Sequence, residues 1–208
     1  MATQAGGTFQ AKKLIFATGI KDNMPNIKGF AACWGISVVH CPYCHGYELK
    51  NKKTGILANG SRAVHLASLV NNLTKDITIF TMGKADFNEA DLAKFKKYDI
   101  EIVETLISEI QHENGVISNL VFNDGSSLNY DALYAAVPFT QHSDIPHSLG
   151  CELTEHGYIA IDNFHNTTVK GIYACGDNSA MMRSVANAVY SGNFAGAMVN
   201  KELTDELF

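Results

Sequence analysis

The sequence predicts an α/β fold organised around a parallel nucleotide-binding sheet. Three observations predict it. Between residues 54 and 103, short apolar runs alternate with helical periodicity in the order strand–helix–strand–helix–strand. The first of these strands passes into its helix through Asn59-Gly60, a turn of the kind that opens dinucleotide-binding units. From residue 115 the pattern shifts to strands about an Asp124-Gly125 turn, which adds an antiparallel element.

The elements follow in chain order. Residues 13–19 form a short apolar strand ending at Gly19, and 22–29, with Pro25 and a lone Gly, read as a linker-like crossing. Residues 54–58 are a strand. Residues 61–72 are a helix with Ala63, Leu66, Ala67 and Val70 on one face. A strand at 76–81, an amphipathic helix at 88–98 and a strand at 100–103 complete the alternating unit. Antiparallel strands at 115–122 and 127–130 precede a buried strand at 133–137. Residues 158–161 precede a polar loop at 162–168, and 171–177 read as a strand ending in Gly176-Asp177. A long helix at 185–201 carries the small residues Ala186, Ala188, Gly192, Ala195, Gly196 and Ala197, a face that can pack close to a sheet.

Composition narrows the function classes. The chain has 208 residues, 46% hydrophobic and 18% charged, enough for one good core or two small ones. A formal charge of −5 and only two arginines, Arg62 and Arg183, argue against a nucleic-acid partner. No apolar run approaches the roughly 20 residues of a membrane span. The N-terminus lacks the layout of a signal peptide. The expected location is cytoplasmic, with no membrane partner. Five cysteines form an odd, scattered set, and Cys33, Cys151 and Cys175 sit among apolar residues as small buried hydrophobes.

Cys41-Pro42-Tyr43-Cys44-His45 carries the densest chemistry. Two thiols three positions apart can close a small disulfide ring and reopen it with little backbone movement, and Pro42 stiffens the turn. The same letters spell a haem-attachment pattern and half of a zinc site. Zinc needs a second ligand pair, and none follows the crowded Cys33, His40, Cys41, Cys44 and His45, so no metal is expected. Haem attachment needs an exported protein and an axial partner. Two inert thiols remain as the bland reading. The favoured one is redox exchange, in which one thiolate attacks and the other resolves the mixed disulfide. His45 can carry the proton, or be an ordinary surface histidine.

Three further patterns bear on a cofactor. Ala58-Asn59-Gly60-Ser61-Arg62-Ala63 overlays the Gly-rich dinucleotide turn with Ala58 in the first Gly slot, and is equally readable as a plain strand-to-helix turn. After the next strand, residues 80–86 offer Lys84 and a late Asp86, which specify neither NADH nor NADPH. Gly176-Asp177 at a strand end, before a small-residue helix, can set a carboxylate and amide groups against a cofactor, or simply end a strand.

In order, these pieces resemble the low-molecular-weight thioredoxin reductases, the class II FAD-dependent pyridine nucleotide-disulfide oxidoreductases. The carrying segments are Phe16-Ala17-Thr18-Gly19, the Cys41-Pro42-Tyr43-Cys44-His45-Gly46-Tyr47-Glu48 run, Ala58 to Ala63, Gly171 to Asp177, and Arg183 to Ala188. The CPYCHGYE form is similar to the branch that includes fungal and bacterial dithiol oxidases of epidithio metabolites. The resemblance implies three-layer Rossmann-like FAD- and NAD(P)-binding domains, one inserted in the other. Residues 1–29 would belong to the FAD domain, 30–137 to the inserted NAD(P)-type domain with the dithiol, and 138–208 to the rest of the FAD domain.

The resemblance also implies roles. Cys44 would face the flavin C4a and Cys41 would attack the partner's disulfide. Thr18 and Gly19 would close over the cofactor at the domain crossing. Asp177, beside Gly176, would bond the ribityl or phosphate region, and Arg183, Ser184 and Val185 would lie near the isoalloxazine. Asn59, Gly60, Ser61 and Arg62 would form the nucleotide turn. A homodimer is the expected assembly, acting on a thioredoxin-like protein or a small disulfide or dithiol. Four departures are visible: His45 replaces the family's acid, Ala58 replaces its first turn Gly, its Arg-rich 2′-phosphate clamp is absent around residues 82–86, and its first roughly 100 residues have no counterpart here. The last departure suggests a fragment or shortened product with only a partial FAD site. Three functions stay open: a disulfide reductase drawing on NAD(P)H, a dithiol oxidase drawing on oxygen, and a fragment that only binds partners.

Overall fold

The computed structural model describes residues 6–208. In chain order, β1 (Leu14–Phe16) and β2 (Ile20–Asp22) come first. Next are α1 (Phe30–Cys33), β3 (Val38–Val39), α2 (Pro42–His45), β4 (Thr54–Leu57), α3 (Gly60–Val70), β5 (Ile77–Phe80), α4 (Glu89–Lys97) and β6 (Glu101–Val103). They are followed by β7 (Ile107–Glu113), β8 (Val116–Phe122), β9 (Ser127–Asn129) and β10 (Ala132–Ala135). The chain ends with β11 (Phe139–Gln141), α5 (Ile145–Ser148), β12 (Ile172–Ala174), a 3-10 turn at Gly176–Asn178 and α6 (Val185–Leu207).

The chain divides into two compact units, one of Asn23–Pro138 and one of the segments up to Asp22 and from Phe139 onward. The first division falls at Asp22, earlier than the boundary at residue 29 expected from the sequence. The reason is packing: Ile27 and Phe30 already belong to the core of the Asn23–Pro138 unit, and Lys28 bridges Glu109.

The Asn23–Pro138 unit holds the parallel sheet, in the order β3-β10-β4-β5-β6 with every pair parallel. Alternate residues along each strand face opposite sides. Val39, Ile56, Ile79 and Tyr134 point into a core shared with Ala63, Leu66, Ala67 and Val70 of α3. Val38, Leu57, Phe80 and Leu133 point the other way, against Ile110, Leu120 and Phe122 of the antiparallel β7-β8-β9 sheet. The unit is therefore three layers: helices, parallel sheet, antiparallel sheet. Gly55 is required inside the sheet, since a Cβ there would stand 2.7 Å from both Leu133 Cδ1 and Phe80 Cε2.

β7 was not expected from sequence. Ile107 and Ile110 face inward, but register shifts between Ile107 and Glu109 and between Gln111 and His112 break the alternation that marks a strand.

The other unit contains the parallel pair β1-β12 and the antiparallel pair β2-β11. Its core cluster of buried residues is small: Phe16, Cys151, Ile159 and Ala174. Residues 158–161 form no regular strand. Only isolated bridges occur there, Leu153 to Ile159 and Ile161 to Thr167. The Asp162 carboxylate folds the chain back by accepting from the Phe164 and Asn166 N–H groups at 2.8 and 2.9 Å, which ends the pairing.

The last helix runs past the expected end at Lys201 to Leu207. Lys13 holds the added turns through Glu202 at 2.7 Å and Glu206 at 2.6 Å, and the Tyr173 hydroxyl donates to Glu202. Burial, with the Glu202 charge adding to it, pushes the Tyr173 hydroxyl up to about 12.

Candidate functional site

The dithiol is built by one turn of helix beyond the end of β3. Cys41 is the extended N-cap residue (φ −125°, ψ 114°), and Pro42 takes the first helical position, where its missing N–H costs nothing. The Cys44 and His45 N–H groups both donate to the Cys41 carbonyl at 3.2 Å, which fixes Cys44 one turn on. Neither thiol is in a disulfide; Cys41 is half-buried and Cys44 exposed. Gly46 closes the turn. A Cβ there would press on the Pro42 carbonyl and stand 2.6 Å from Leu73 Cδ1, so only glycine seats the dithiol helix this close to the end of α3.

Around this pair, His45 Nδ1 is buried with no hydrogen-bond partner, and so is the Tyr134 hydroxyl in β10. Burial pushes the Tyr134 hydroxyl up to about 12, and the charges of Cys41 and Glu48 add to the rise. Tyr134 was not singled out by sequence. Its only signal there was a lone phenol in an otherwise apolar strand. Tyr43 and Tyr47, on either side of Cys44, are 78% and 86% exposed.

The other cysteines are buried, as expected: Cys33 at 0%, Cys151 at 1% and Cys175 at 5% exposure. Burial pushes the Cys33 and Cys175 thiols up, away from the reactive thiolate. Among the described residues, no three His, Cys, Asp or Glu side chains gather as a metal site.

The unit containing β1, β12 and α6 gathers Gly19, Gly176, Asp177, Ser184 and Val185 around one cavity of about 330 Å³. Gly19 (φ +67°) and Gly176 (φ +80°) are left-handed, and nothing lies within 4 Å of a Cβ built at Gly19 or Gly192. Ser184 caps α6 by accepting from the Asn187 N–H at 3.2 Å. Thr18 stands beside this group, where its hydroxyl accepts from Asn178 Nδ2 at 3.3 Å. Asn178, fully buried, also donates to the Phe16 carbonyl at 3.0 Å and so ties β1 to the Gly176–Asn178 turn. Arg183 does not line the cavity. Its guanidinium pairs with Asp22 at 2.9 Å.

The nucleotide turn lies in the Asn23–Pro138 unit. Asn59 caps α3, but its side chain accepts from the adjacent Gly60 N–H at 2.9 Å and from the Asp86 N–H at 2.9 Å. Gly60 is left-handed (φ +57°), and Asp86 Oδ2 lies 3.5 Å from the position of a Cβ on it. Ser61 and Arg62 are exposed in the first turn of the helix. A larger cavity, about 610 Å³ between α3 and α4, is lined by Val64, His65, Phe95 and Tyr98 and contains neither thiol of the pair.

The sequence pattern of the pyridine nucleotide-disulphide oxidoreductase family matches residues 2–192. The chain belongs to that family. It is 32% identical over 218 residues to thioredoxin reductase tcpT of Claviceps purpurea, covering 100% of this chain and 67% of that one. It is 34% identical over 212 residues to thioredoxin reductase sirT of Leptosphaeria maculans, covering 95% and 64%. The chain thus spans about two thirds of the length of these relatives. A crystal structure of a candidate thioredoxin reductase, TrxB, from Bacillus anthracis superposes with a TM-score of 0.92 at 28% identity, over 100% of this chain and 70% of that one.

Membership in the pyridine nucleotide-disulphide oxidoreductase family implies FAD and a pyridine nucleotide, and the two candidate sites differ in how they suit them. The Gly19–Gly176 cavity fits part of a flavin dinucleotide: its wall is glycine-lined, backbone can approach closely, and a 23-residue helix starts at its edge. The Asn59–Gly60 turn does not fit a pyrophosphate, because its first amide is capped and a carboxylate already stands over Gly60. No helix among the described residues is long and apolar enough to cross a membrane.

Proposed function

We propose that this chain carries the reacting centre of a flavin-dependent thiol–disulfide oxidoreductase of the thioredoxin reductase type, with Cys41 and Cys44 as the exchanging pair. The observation that carries the reading is the one-turn helix started by Pro42, which holds two thiols outside any disulfide three positions apart, next in sequence to a buried histidine nitrogen without a hydrogen-bond partner.

In the reducing direction, the Cys41 thiolate attacks one sulfur of a substrate disulfide, the substrate S–S bond breaks, and one substrate thiolate leaves. The Cys44 thiolate then attacks Cys41 Sγ, releases the second substrate thiolate and closes the Cys41–Cys44 disulfide. Two electrons have passed to the substrate. His45 holds or returns the protons at the sulfur atoms. Bound FAD would supply or accept the electron pair that resets the cysteines. Tyr43 and Tyr47 offer an aromatic rim for a thioredoxin-like partner or a small cyclic disulfide. The protein acts in a reducing, cytoplasmic setting as a homodimer.

The opposite direction, oxidation of a substrate dithiol with oxygen as the final acceptor, draws on one observation: Asp86 Oδ2 lies 3.5 Å from the position of a Cβ on Gly60, at the turn that would have to receive a nucleotide. Anaerobic titration of the flavin-loaded protein near about 450 nm separates the two. Bleaching by NADPH supports the reductase, and bleaching only by a small dithiol supports the oxidase.

The exchange itself is tested on the 208-residue chain with an aromatic disulfide reagent. The reduced chain is expected to show a fast two-thiol phase that Cys41→Ser and Cys44→Ser each abolish. Retention of that phase by either variant would sink the reading.

A further inference from the structure

A helix N-terminus presents amide donors and a positive dipole end to one anion. At the start of α3 a carboxylate of the chain itself lies close by: Asp86 Oδ2 is 3.5 Å from the position of a Cβ on Gly60. β5 ends at Phe80, and the next residues double back. Met82 (φ 55°) and Gly83 (φ 125°) are both left-handed, and the Thr81 hydroxyl donates to the Gly83 carbonyl at 2.6 Å. The loop is then latched at three points. Asn59 Nδ2 donates to the Lys84 carbonyl at 2.9 Å, Asn59 Oδ1 accepts from the Asp86 N–H at 2.9 Å, and the Ala85 N–H donates to Glu104 Oε1 at 2.7 Å. The result sets the Asp86 carboxylate over Gly60, and Asn59 consumes the Gly60 amide that a phosphate would otherwise use.

We propose that residues 82–86 are a built-in plug of the dinucleotide turn: the Asp86 carboxylate takes the place of the nucleotide phosphate, Asn59 latches it there, and neither NADH nor NADPH binds this turn. The exclusion is specific. Arg62 in the first turn of α3 still offers a cation, so the carboxylate near Gly60 acts at the turn itself, separately from the arginine clamp missing around residues 82–86. The same loop in a dinucleotide-binding unit would present an acid to a ribose or a cation to a 2′-phosphate. Here it turns inward onto the helix end. The proposal does not depend on the cysteines, so it stands or falls separately from the thiol exchange.

The test is direct binding of NADPH and NADH to the full 208-residue chain, read by calorimetry and by nucleotide fluorescence. Three variants accompany it: Asp86→Asn, Asp86→Ala and Asn59→Ala. Asp86 is exposed, so both of its variants are expected to keep the fold, and Asp86→Asn keeps the loop's shape while removing only the charge. The unmodified chain is expected to bind neither nucleotide below about 1 mM. Asp86→Asn and Asp86→Ala are expected to tighten NADPH binding by about tenfold or more, with Asn59→Ala in between. Micromolar binding by the unmodified chain overturns the plug. So does unchanged weak binding in both folded Asp86 variants.

Discussion

The two units solve the problem of burial differently. The Asn23–Pro138 unit sandwiches its parallel sheet between two apolar clusters, so every residue of β4, β5 and β10 is buried. The unit with β1, β12 and α6 buries only Phe16, Cys151, Ile159 and Ala174 as its cluster. It relies instead on polar ties: Asn178 to Phe16 and Thr18, Arg183 to Asp22, and Lys13 with Tyr173 to the end of α6. On α6, Val185, Val189 and Tyr190 are exposed. The comparison teaches that the Cys41–Cys44 segment belongs to a unit with a two-sided core, whereas the Gly19–Gly176 cavity rests on a thinner frame held by hydrogen bonds.

Core truncations break this contrast most strongly. Phe80→Ala removes a fully buried ring that packs on Phe122 and Tyr130, and is expected to cost about 3–5 kcal/mol in denaturant unfolding. Ile159→Ala should cost about 2–5 kcal/mol and act only on the thinner unit. Hydrogen exchange reads the two locally. Amides of β4, β5 and β10 are expected to be the last to exchange, and those of β1 and β12 to exchange earlier. Equal protection in both units contradicts the contrast.

A smaller effect sharpens it. The Tyr134 hydroxyl is buried and unpartnered, so Tyr134→Phe should raise stability by about 1 kcal/mol. A loss of stability would mean that the hydroxyl has a partner in solution.

The smallest effect is electrostatic. Glu202 is held below its usual range by its hydrogen bonds from Lys13 first and Tyr173 second. Its folded pKa lies below its unfolded value of 4.5, so the tie contributes above that value and is lost as pH falls through the folded pKa. Unfolding midpoints should therefore drop on acidification below about pH 4.5. In Glu202→Gln the drop should be shallower.

Much of this was legible in the sequence, for identifiable reasons. β4, α3, β5, α4 and β6 announce themselves because both faces of the sheet are buried and α3 repeats its apolar face every turn. β7 hides because its bulges break the alternation, and the last turns of α6 hide because residues after Lys201 are held by charge rather than by an apolar face. The cysteine pair and its Pro42 are local features, so a stiffened turn at the pair is readable from the spacing, although its one-turn helix is not. Three features of the sites are long-range and could not be read: the Asp86 carboxylate near Gly60, the Tyr134 hydroxyl within reach of the Cys41 charge, and the Asn178 tie to Phe16. Each joins residues whose separation no local pattern records.

The central claim is that Cys41 and Cys44 form one reversible pair while the remaining thiols are inert. Peptide mapping of the chain after mild oxidation and again after re-reduction tests it most directly. The expected result is a Cys41–Cys44 disulfide that forms and reopens fully, with Cys33, Cys151 and Cys175 still reduced throughout. A stable dithiol that resists oxidation, or a disulfide involving any of the three buried cysteines, contradicts the account.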